Sequence, residues 1–277
     1  MALTCELITS RQNSLVVETH KLSDRKHRVR SGMFRFDGVK LASEALLRDL
    51  PLTAVLLRQS DADRVFSRIL ESSGTTFSSA TRVVQVLDHV FDSLSSEEAP
   101  EGIICVARAQ QDLHRVWKGE EEIAPHRERV MLLESVRDPS NLGAIIRSAA
   151  ALGVDRLILT SDCADIYSAK TVRASMGTLF SQRIDRTEDL CSYIARLKQD
   201  GRRVFAAALD AQACCLGRFE KFAGDCAVIG NEGHGLSQKV IDACGNKVYI
   251  PMTPHAESLN AAVAAALLMW EFGRSDN

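Results

Sequence analysis

Three loops of this sequence combine polar side chains with glycine or proline directly after an apolar run. They read "RDPSNLGAIIR" from 137, "NEGHGLS" from 231 and "TPHAESLN" from 253. In the second loop, Glu232 and His234 stand among glycines. Clustered glycines indicate either a tight turn or the close approach of a ligand to the backbone. An ordinary strand-to-helix turn and a ligand site are both open for this stretch alone.

The segments around these loops alternate between buried strands and helices. Unbroken apolar strands separated by helices indicate a parallel sheet that is covered on both faces. Ligands bind such sheets beyond the carboxyl ends of the strands, where all three loops lie, so the sequence predicts one shared site. The predicted strands are 32–38, 53–58, 102–109, 129–136, 154–160, 203–210, 226–230 and 247–252. The predicted helices are 39–50, 61–74, 81–94, 141–153, 168–177, 187–200, 236–245 and 259–273.

Composition is that of a soluble globular protein, with 45% hydrophobic and 25% charged residues among 277. The start carries Glu6 and shows no signal-peptide pattern. The longest apolar stretch, 261–270, is too short to cross a bilayer. Eight cysteines show neither a C-x-x-C pair nor metal-ligand spacing. This pattern favours reduced thiols in the cytoplasm and predicts no metal site.

Positive charge is concentrated near the N-terminus, although the net charge is −2. Residues 20–40 hold seven lysines and arginines against two aspartates. Such a patch can attract phosphates, and a solvated charged face is the alternative.

Familiar phosphate and hydrolase motifs do not fit. "GNEGHG" matches neither a P-loop nor the first turn of a dinucleotide-binding fold, and no G-x-S-x-G elbow occurs. The residues alone indicate an α/β enzyme with a ligand site late in the chain.

Three ordered motifs then point to a family. "NLGAIIRSAAALG", "VIGNEGHGLS" and "YIPMTPHAESLNAAVAAAL" resemble the signature motifs of the SpoU/TrmH family of SPOUT RNA methyltransferases. "VRASMGTLF" at 172–180 is similar to the family's intervening segment, and the resemblance covers about 130–273. "RKHRVRSGMFRFDGVKLASEAL" resembles the ribosomal-protein-like RNA substrate-binding domain that often precedes this core.

The resemblance implies an α/β fold: a C-terminal SPOUT parallel sheet with a deep trefoil knot, preceded by a smaller α/β substrate-binding domain. The implied boundaries are 1–112 for the N-terminal domain, 113–128 for a linker and 129–277 for the methyltransferase domain. The implied reaction transfers a methyl group from S-adenosyl-L-methionine (AdoMet) to a ribose 2′-hydroxyl of RNA, with 23S rRNA favoured over tRNA. The alternatives are a non-catalytic RNA-binding or ribosome-assembly protein and, on the glycines alone, a nucleotide-phosphate-binding enzyme.

The resemblance also assigns site residues. Arg147 matches the catalytic arginine, and we expect it to hold a phosphate and stabilise the 2′-oxygen because a guanidinium stays protonated. Gly230 would let the backbone approach the cofactor, and His234 is peripheral. The other catalytic candidates, for which loop ordering or helix capping is the structural alternative, are Asn141, Glu232, Ser258 and Asn260. The further cofactor candidates are Leu209, Ile250, Met252 and Leu259.

The implied partners are RNA and a second copy of the chain. Arg28, Arg30 and Arg35 are the leading predicted RNA contacts, with Arg173 nearer the active site. The last helix is apolar on nearly all sides, which predicts that it is buried in a homodimer with Trp270 and Phe272 near the interface. Burial within one subunit is the alternative.

Overall fold

The computed structural model describes residues 5–95, 99–119, 121–210, 212–255 and 257–274. The chain divides into two units. The first comprises Met1–Gln110 and Asp165–Phe180, and the second comprises Gln111–Ala164 and Ser181–Asn277. The second stretch of the first unit lies inside the range predicted for the methyltransferase domain. The predicted boundaries at 112 and 128 stay a prediction.

The first unit contains a mixed five-stranded sheet in the order β1-β4-β3-β5-β2. Strands β1, β4 and β3 are parallel, whereas β5 runs antiparallel to both β3 and β2. Its strands are β1 (Glu6–Ile8), β2 (Met33–Asp37), β3 (Leu52–Arg58), β4 (Arg82–Val86) and β5 (Ile103–Arg108). Its helices are α1 (Ser14–Lys21), α2 (Arg25–Ser31), α3 (Val39–Leu47), α4 (Ala62–Ser73), α5 (Asp88–Phe91) and α7 (Ala169–Ser175).

The helix predicted over 81–94 is wrong. Residues 82–86 form the strand β4, and only the four residues of α5 are helical. Val83, Val84 and Val86 explain the difference, because β-branched side chains favour strands and this segment can pair with β1 and β3 on either side. Val84 and Val86 are fully buried in the core of this unit.

The second unit contains an eight-stranded, all-parallel sheet in the order β11-β13-β10-β12-β7-β8-β9-β6. The predicted parallel sheet is confirmed here. Its strands are β6 (His114–Trp117), β7 (Val130–Leu133), β8 (Arg156–Thr160), β9 (Arg183–Thr187), β10 (Val204–Ala207), β11 (Cys214–Cys215), β12 (Cys226–Ile229) and β13 (Gly245–Tyr249). Its helices are α6 (Pro139–Ala151), α8 (Leu190–Gln199), α9 (Gln238–Cys244) and α10 (Ala261–Gly273).

Part of the predicted linker 113–128 belongs to this sheet, because β6 pairs in parallel with β9. Neither strand was predicted. Both carry charged side chains, and Arg115 of β6 and Asp185 of β9 form a bidentate ion pair instead of an apolar contact. A pattern search for apolar runs cannot find strands of this kind.

Helix α10 packs against α6, and its first turn is capped by Asn260. Phe272, which was predicted to lie near a dimer interface, packs on the rings of Phe205 and Phe219 within the unit, and its place at an interface stays a prediction. Trp270 is 58% exposed. No helix in the described part of the chain is long and apolar enough to cross a membrane.

Candidate active site

The loops after β7, β8 and β12 lie side by side, because these strands are neighbours in the order β12-β7-β8. The loop after β7 leads into α6, and the loop after β12 leads into α9. Parallel strands end at the same edge of a sheet, so the polar residues of these loops gather there. This is the arrangement expected for a shared site.

Glu232 accepts hydrogen bonds from both loops. Its Oε1 accepts from Asn141 Nδ2 at 3.1 Å and from the backbone N of Asp138 at 3.3 Å. Its Oε2 accepts from the backbone N of Arg137 at 3.4 Å and from Asn231 Nδ2 at 3.5 Å. Partial burial opposes ionisation, but the hydrogen bonds outweigh it and lower the pKa of Glu232 below its ordinary value. Glu232 is therefore an ionised acceptor at neutral pH.

Asn260 connects the last motif to the same group. Its Nδ2 donates to Asn141 Oδ1 at 2.9 Å, and its Oδ1 accepts from the backbone N of Ala262 at 2.9 Å. Asn260 thus caps α10 and contacts Asn141 at once. Asn141 is not a helix cap, because Asp138 caps α6 by accepting from the backbone N of residue 141 at 2.9 Å. We call Asn141, Glu232 and Asn260 the carboxamide network.

The glycines after β12 let the loop close on itself. Asn231 and Gly235 exchange two backbone hydrogen bonds, N to O, at 2.9 and 3.0 Å. A methyl group on Gly230 would overlap the backbone of Gly235 and Leu236, whereas one on Gly233 would meet Asn231 Oδ1 at an ordinary 3.5 Å. Loop closure alone thus requires a glycine at position 230, and the predicted contact of Gly230 with the cofactor stays a prediction. The immediate neighbour of Gly230 is the loop's own backbone.

Apolar side chains follow the neighbouring strands on the other side of β12. Leu209 comes after β10, whereas Ile250 and Met252 come after β13, and these strands are adjacent in the order β13-β10-β12. Leu209 is 69% exposed, and the side chains of the other two and of Leu259 are partly buried. Apolar side chains with a few polar groups beside them are the usual lining of a small-molecule site.

A second polar group on this edge was not predicted. Asp162, after β8, accepts from Ser135 Oγ and Thr160 Oγ1, both at 2.6 Å, and from Arg137 Nη2 at 3.1 Å. Burial opposes ionisation of Asp162, but these donors lower its pKa below the ordinary value. Ser135 has φ 55°, a conformation that no sequence motif signals for serine.

Known proteins share both halves of this chain. The sequence model of the SpoU rRNA Methylase family matches residues 128–270, and that of the MRM3-like substrate binding domain matches 13–105. The chain belongs to the SpoU rRNA Methylase family.

Relatives of this SpoU methylase align over almost its whole length. The Bacillus subtilis protein named 23S rRNA (guanosine(2553)-2′-O)-methyltransferase RlmP is 31% identical over 95% of this chain and 97% of its own. A Streptomyces viridochromogenes 23S rRNA (uridine(2479)-2′-O)-methyltransferase is 30% identical over 95% and 90%. The crystal structure of the SpoU methyltransferase AviRb with AdoMet, from the same organism, superposes with a TM-score of 0.78 at 27% identity and covers 95% of this chain and 97% of its own. The family predicted from the three motifs is thereby confirmed.

Two predicted catalytic residues of this SpoU methylase lie outside the carboxamide network. Arg147, on α6, and Ser258, before α10, are exposed. Among the described residues neither side chain has a hydrogen-bond or ion-pair partner. Arg147 lies six residues after Asn141, which places the two on different faces of α6. Their catalytic roles stay predictions.

The predicted RNA contacts in the first unit divide into buried and exposed residues. Arg28 donates to Asp165 Oδ2 at 2.7 and 3.1 Å and to the carbonyl oxygen of Leu22 at 2.7 Å. Arg35 donates to the carbonyl oxygen of Leu94 at 2.7 Å, and burial lowers its pKa. Both are more than nine-tenths buried and engaged in the protein, which is not the geometry of a phosphate contact. By contrast, Arg30 and Arg173 are exposed.

No cluster of three or more His, Cys, Asp or Glu side chains arranged to hold a metal ion was found in the part of the chain that the structure describes.

Proposed function

We propose that this protein transfers the methyl group of AdoMet to a ribose 2′-hydroxyl in 23S rRNA. The observation that carries the proposal is the carboxamide network. The network joins three separate motifs by direct hydrogen bonds. Asn141 bonds to Glu232, 91 residues later, and to Asn260, 119 residues later. The relatives named for 2′-O-methylation of 23S rRNA match both units of the chain and support the choice of substrate.

The residues after β10, β12 and β13 fit the cofactor. Leu209, Ile250, Met252 and Leu259 offer apolar surface for the nucleoside, and the closed loop that begins at Gly230 offers backbone groups. Bound AdoMet supplies an electrophilic methyl group on a sulfonium. A site that positions the 2′-oxygen in line with this methyl group can supply much of the rate enhancement, because bringing two reactants together in the right orientation lowers the entropic cost of reaction.

Glu232 is a positioning residue in this proposal and not the base. A carboxylate that accepts hydrogen bonds from two loops and has a lowered pKa is a weak proton acceptor. Its role is to fix the loop before α6 against the loop after β12. Asn141 then transmits the same constraint to Asn260 and the start of α10.

Arg147 is the residue that we assign to the reacting oxygen. Its guanidinium is exposed and, within the described chain, uncommitted. A guanidinium stays protonated, so it would stabilise negative charge on the 2′-oxygen or hold the adjacent phosphate. Ser258 lies beside Asn260 in the sequence, and we keep it as a candidate contact to the substrate.

We assign RNA binding to the exposed side of α2 and not to Arg28, the arginine of this helix that is buried. Arg25, Lys26 and Arg30 are exposed on this helix. Arg28 holds the buried side of the helix through its ion pair with Asp165. The other cations of the helix therefore face the solvent. Arg173 on α7 stays a further candidate contact.

A homodimer belongs to the same proposal. Val263, Leu267 and Trp270 are 49, 40 and 58% exposed and follow the i, i+4, i+7 spacing of one helix face on α10. An exposed apolar stripe of this kind favours a protein contact. Light scattering should give twice the chain mass of 30.4 kDa. We also propose the trefoil knot, the predicted domain boundaries and a cytoplasmic location, which eight unpaired cysteines support.

The test is transfer of labelled methyl groups from AdoMet to 23S rRNA purified from a strain that lacks the gene. Wild-type protein should methylate a single ribose, and Arg147→Ala should lower kcat by about 100- to 1,000-fold. Calorimetry should show AdoMet affinity within about twofold of wild type, because Arg147 acts on the acceptor in this proposal. Arg196→Ala, an exposed arginine on α8, is the matched control. Methylation of tRNA but not 23S rRNA, or binding of ATP instead of AdoMet, would contradict the proposal.

A further inference from the structure

Arg137 is an arginine at the carboxyl edge of the large sheet to which the proposed function assigns no role. Its Nη2 donates to Asp162 Oδ2 at 3.1 Å, and the side chain is 67% exposed. An arginine has five N–H donors. Among the residues that the structure describes, Asp162 is the one acceptor of this guanidinium, so most of its donors are available to a ligand.

The acceptor that holds Arg137 is itself fixed. Asp162 Oδ1 accepts from Thr160 Oγ1, and its Oδ2 accepts from Ser135 Oγ, both at 2.6 Å. The carboxylate therefore has a set orientation before the arginine is considered. It accepts from Nη2 and leaves the other nitrogens of the guanidinium open to a ligand.

Ser135 is held in a backbone conformation that serine rarely adopts. Its φ is 55°, in the left-handed region. The backbone N donates to Thr160 Oγ1 at 2.8 Å, and the carbonyl oxygen accepts from Asn231 Nδ2 at 2.8 Å. Such conformations persist only where several contacts impose them, and they concentrate at functional sites. At Ser135, these contacts fix the direction of the backbone that leads to the next two residues.

The order of the strands places Arg137 on the side of the ribose oxygen that would accept the methyl group. Along the sheet, the apolar residues assigned to AdoMet follow β13 and β10, Glu232 follows β12, and Arg137 and Asp162 follow β7 and β8. Glu232 thus lies between the residues assigned to AdoMet and the side chain of Arg137. Its carboxylate contacts the Arg137 backbone N at 3.4 Å. In methyl transfer the donor and the accepting oxygen lie on opposite sides of the methyl group. With AdoMet bound as proposed, the RNA would lie on the side of this guanidinium.

We propose that Arg137, braced by Asp162, binds a backbone phosphate of the RNA next to the target ribose. A planar guanidinium held at one nitrogen can bind a phosphate in bidentate fashion through the others. The inference rests on the proposed function and assigns Arg137 to substrate binding, whereas Arg147 acts on the reacting oxygen. Phosphate contacts position a substrate and make its affinity salt-dependent.

Steady-state kinetics with protein-free 23S rRNA at several salt concentrations test the proposal. Arg137→Gln should raise KM for RNA about 10-fold with kcat nearly unchanged. It should also reduce the slope of log kcat/KM against log salt by about 0.7–0.9, the effect of one phosphate contact. Arg137→Lys keeps the charge but not the fork, so it should retain the wild-type slope with a smaller rise in KM.

Arg183→Gln is the matched control. Arg183 is also an exposed arginine that is paired with a carboxylate, Glu128 at 2.7 Å. It is the first residue of β9, so it lies at the amino ends of the parallel strands, whereas Arg137 lies at their carboxyl ends. Arg183→Gln should leave both KM and the slope at wild-type values.

Four results would overturn the inference. A wild-type slope in Arg137→Gln would remove the phosphate contact. A weaker AdoMet affinity in calorimetry would place the guanidinium on the donor instead. A lowered melting temperature of Arg137→Gln that accounts for its loss of activity would mean that Arg137 only supports the fold. A wild-type KM in Arg137→Lys would exclude the bidentate contact. If wild-type protein methylates no RNA, the proposed function fails as well; if it does and Arg137→Gln matches it, only this inference fails.

Discussion

The second unit contains two polar networks whose burial and bonding differ sharply. One is centred on Asp185, which has no exposed side-chain surface and accepts from Arg115, Arg156 and Tyr193 at 3.0–3.2 Å. The other is centred on Glu232, which is exposed and accepts mainly from backbone N–H groups and amides at 3.1–3.5 Å. Both link segments that are distant in the sequence. Only the first has a central carboxylate that is closed to solvent.

The difference distinguishes a network that holds strands together from one that is proposed to lie at the active site. Asp185 attaches the edge strand β6 to β9 and shares Arg156 with Glu128. Every strong acceptor in that network has a cationic donor, as burial requires. The carboxamide network has amide donors and open surroundings, so it can bind a ligand. We therefore expect changes to the first network to lower stability and changes to the second to lower activity.

The largest effect is predicted for Asp185→Ala. It leaves two buried or half-buried arginines without their shared carboxylate, and breaking a buried pair in this way costs about 3–5 kcal/mol. Thermal unfolding should show a strongly lowered Tm, and activity should be lost only in proportion to unfolding. Asp242→Ala, an exposed aspartate on α9, should change stability by less than about 0.5 kcal/mol. An unchanged Tm in Asp185→Ala would remove the distinction between the networks.

An intermediate effect is predicted for Gly230→Ala. The added methyl group would overlap the backbone of Gly235, and overpacking of this kind costs about 1–3 kcal/mol. The loop that carries Glu232 would have to open, so transfer should fall together with Tm. Gly233→Ala is the paired control, because its methyl group meets only Asn231 Oδ1 at 3.5 Å. Equal melting temperatures for the two variants, measured without ligand, would show that loop closure does not require Gly230.

The sequence singled out site candidates that stand in local motifs, and it missed the polar residues beside them that no motif marks. Asn141, Glu232 and Asn260 lie in glycine-rich or capping segments that stand out from their neighbours. Ser135 and Asp162 do not, because a serine at positive φ and an aspartate that accepts from two hydroxyl groups leave no spacing pattern.

The arginines of the basic segment show the same limit. Arg28 and Arg30 are two residues apart and chemically identical, but Asp165, 137 residues later, buries one and leaves the other exposed. Charge counts along the chain cannot distinguish them. The strand β4 was mistaken for a helix for a related reason, since its pairing with β1 and β3 decides its conformation.

The smallest effect on stability is predicted for Glu232→Gln, and it should depend on pH. Because the folded pKa of Glu232 lies below its ordinary value, the stabilisation from its hydrogen bonds is complete above about pH 4.3, the unfolded value. It is lost as the pH falls through the lower, folded pKa. The amide also supplies one acceptor oxygen where the carboxylate supplies two. The variant should therefore melt slightly below wild type at pH 7, and the difference should shrink as the pH is lowered past 4.

The same variant distinguishes a positioning residue from a base. Between pH 6 and 8 wild-type Glu232 stays ionised, so the ratio of wild-type to Glu232→Gln kcat should be constant, at about 10- to 100-fold. Glu188→Gln, an exposed glutamate before α8, controls for the loss of one charge. A ratio that rises with pH in this range would mean that the carboxylate takes up the proton of the 2′-hydroxyl. The open network would then hold the base itself, and its hydrogen bonds to Asn141 and the backbone would serve to orient that base.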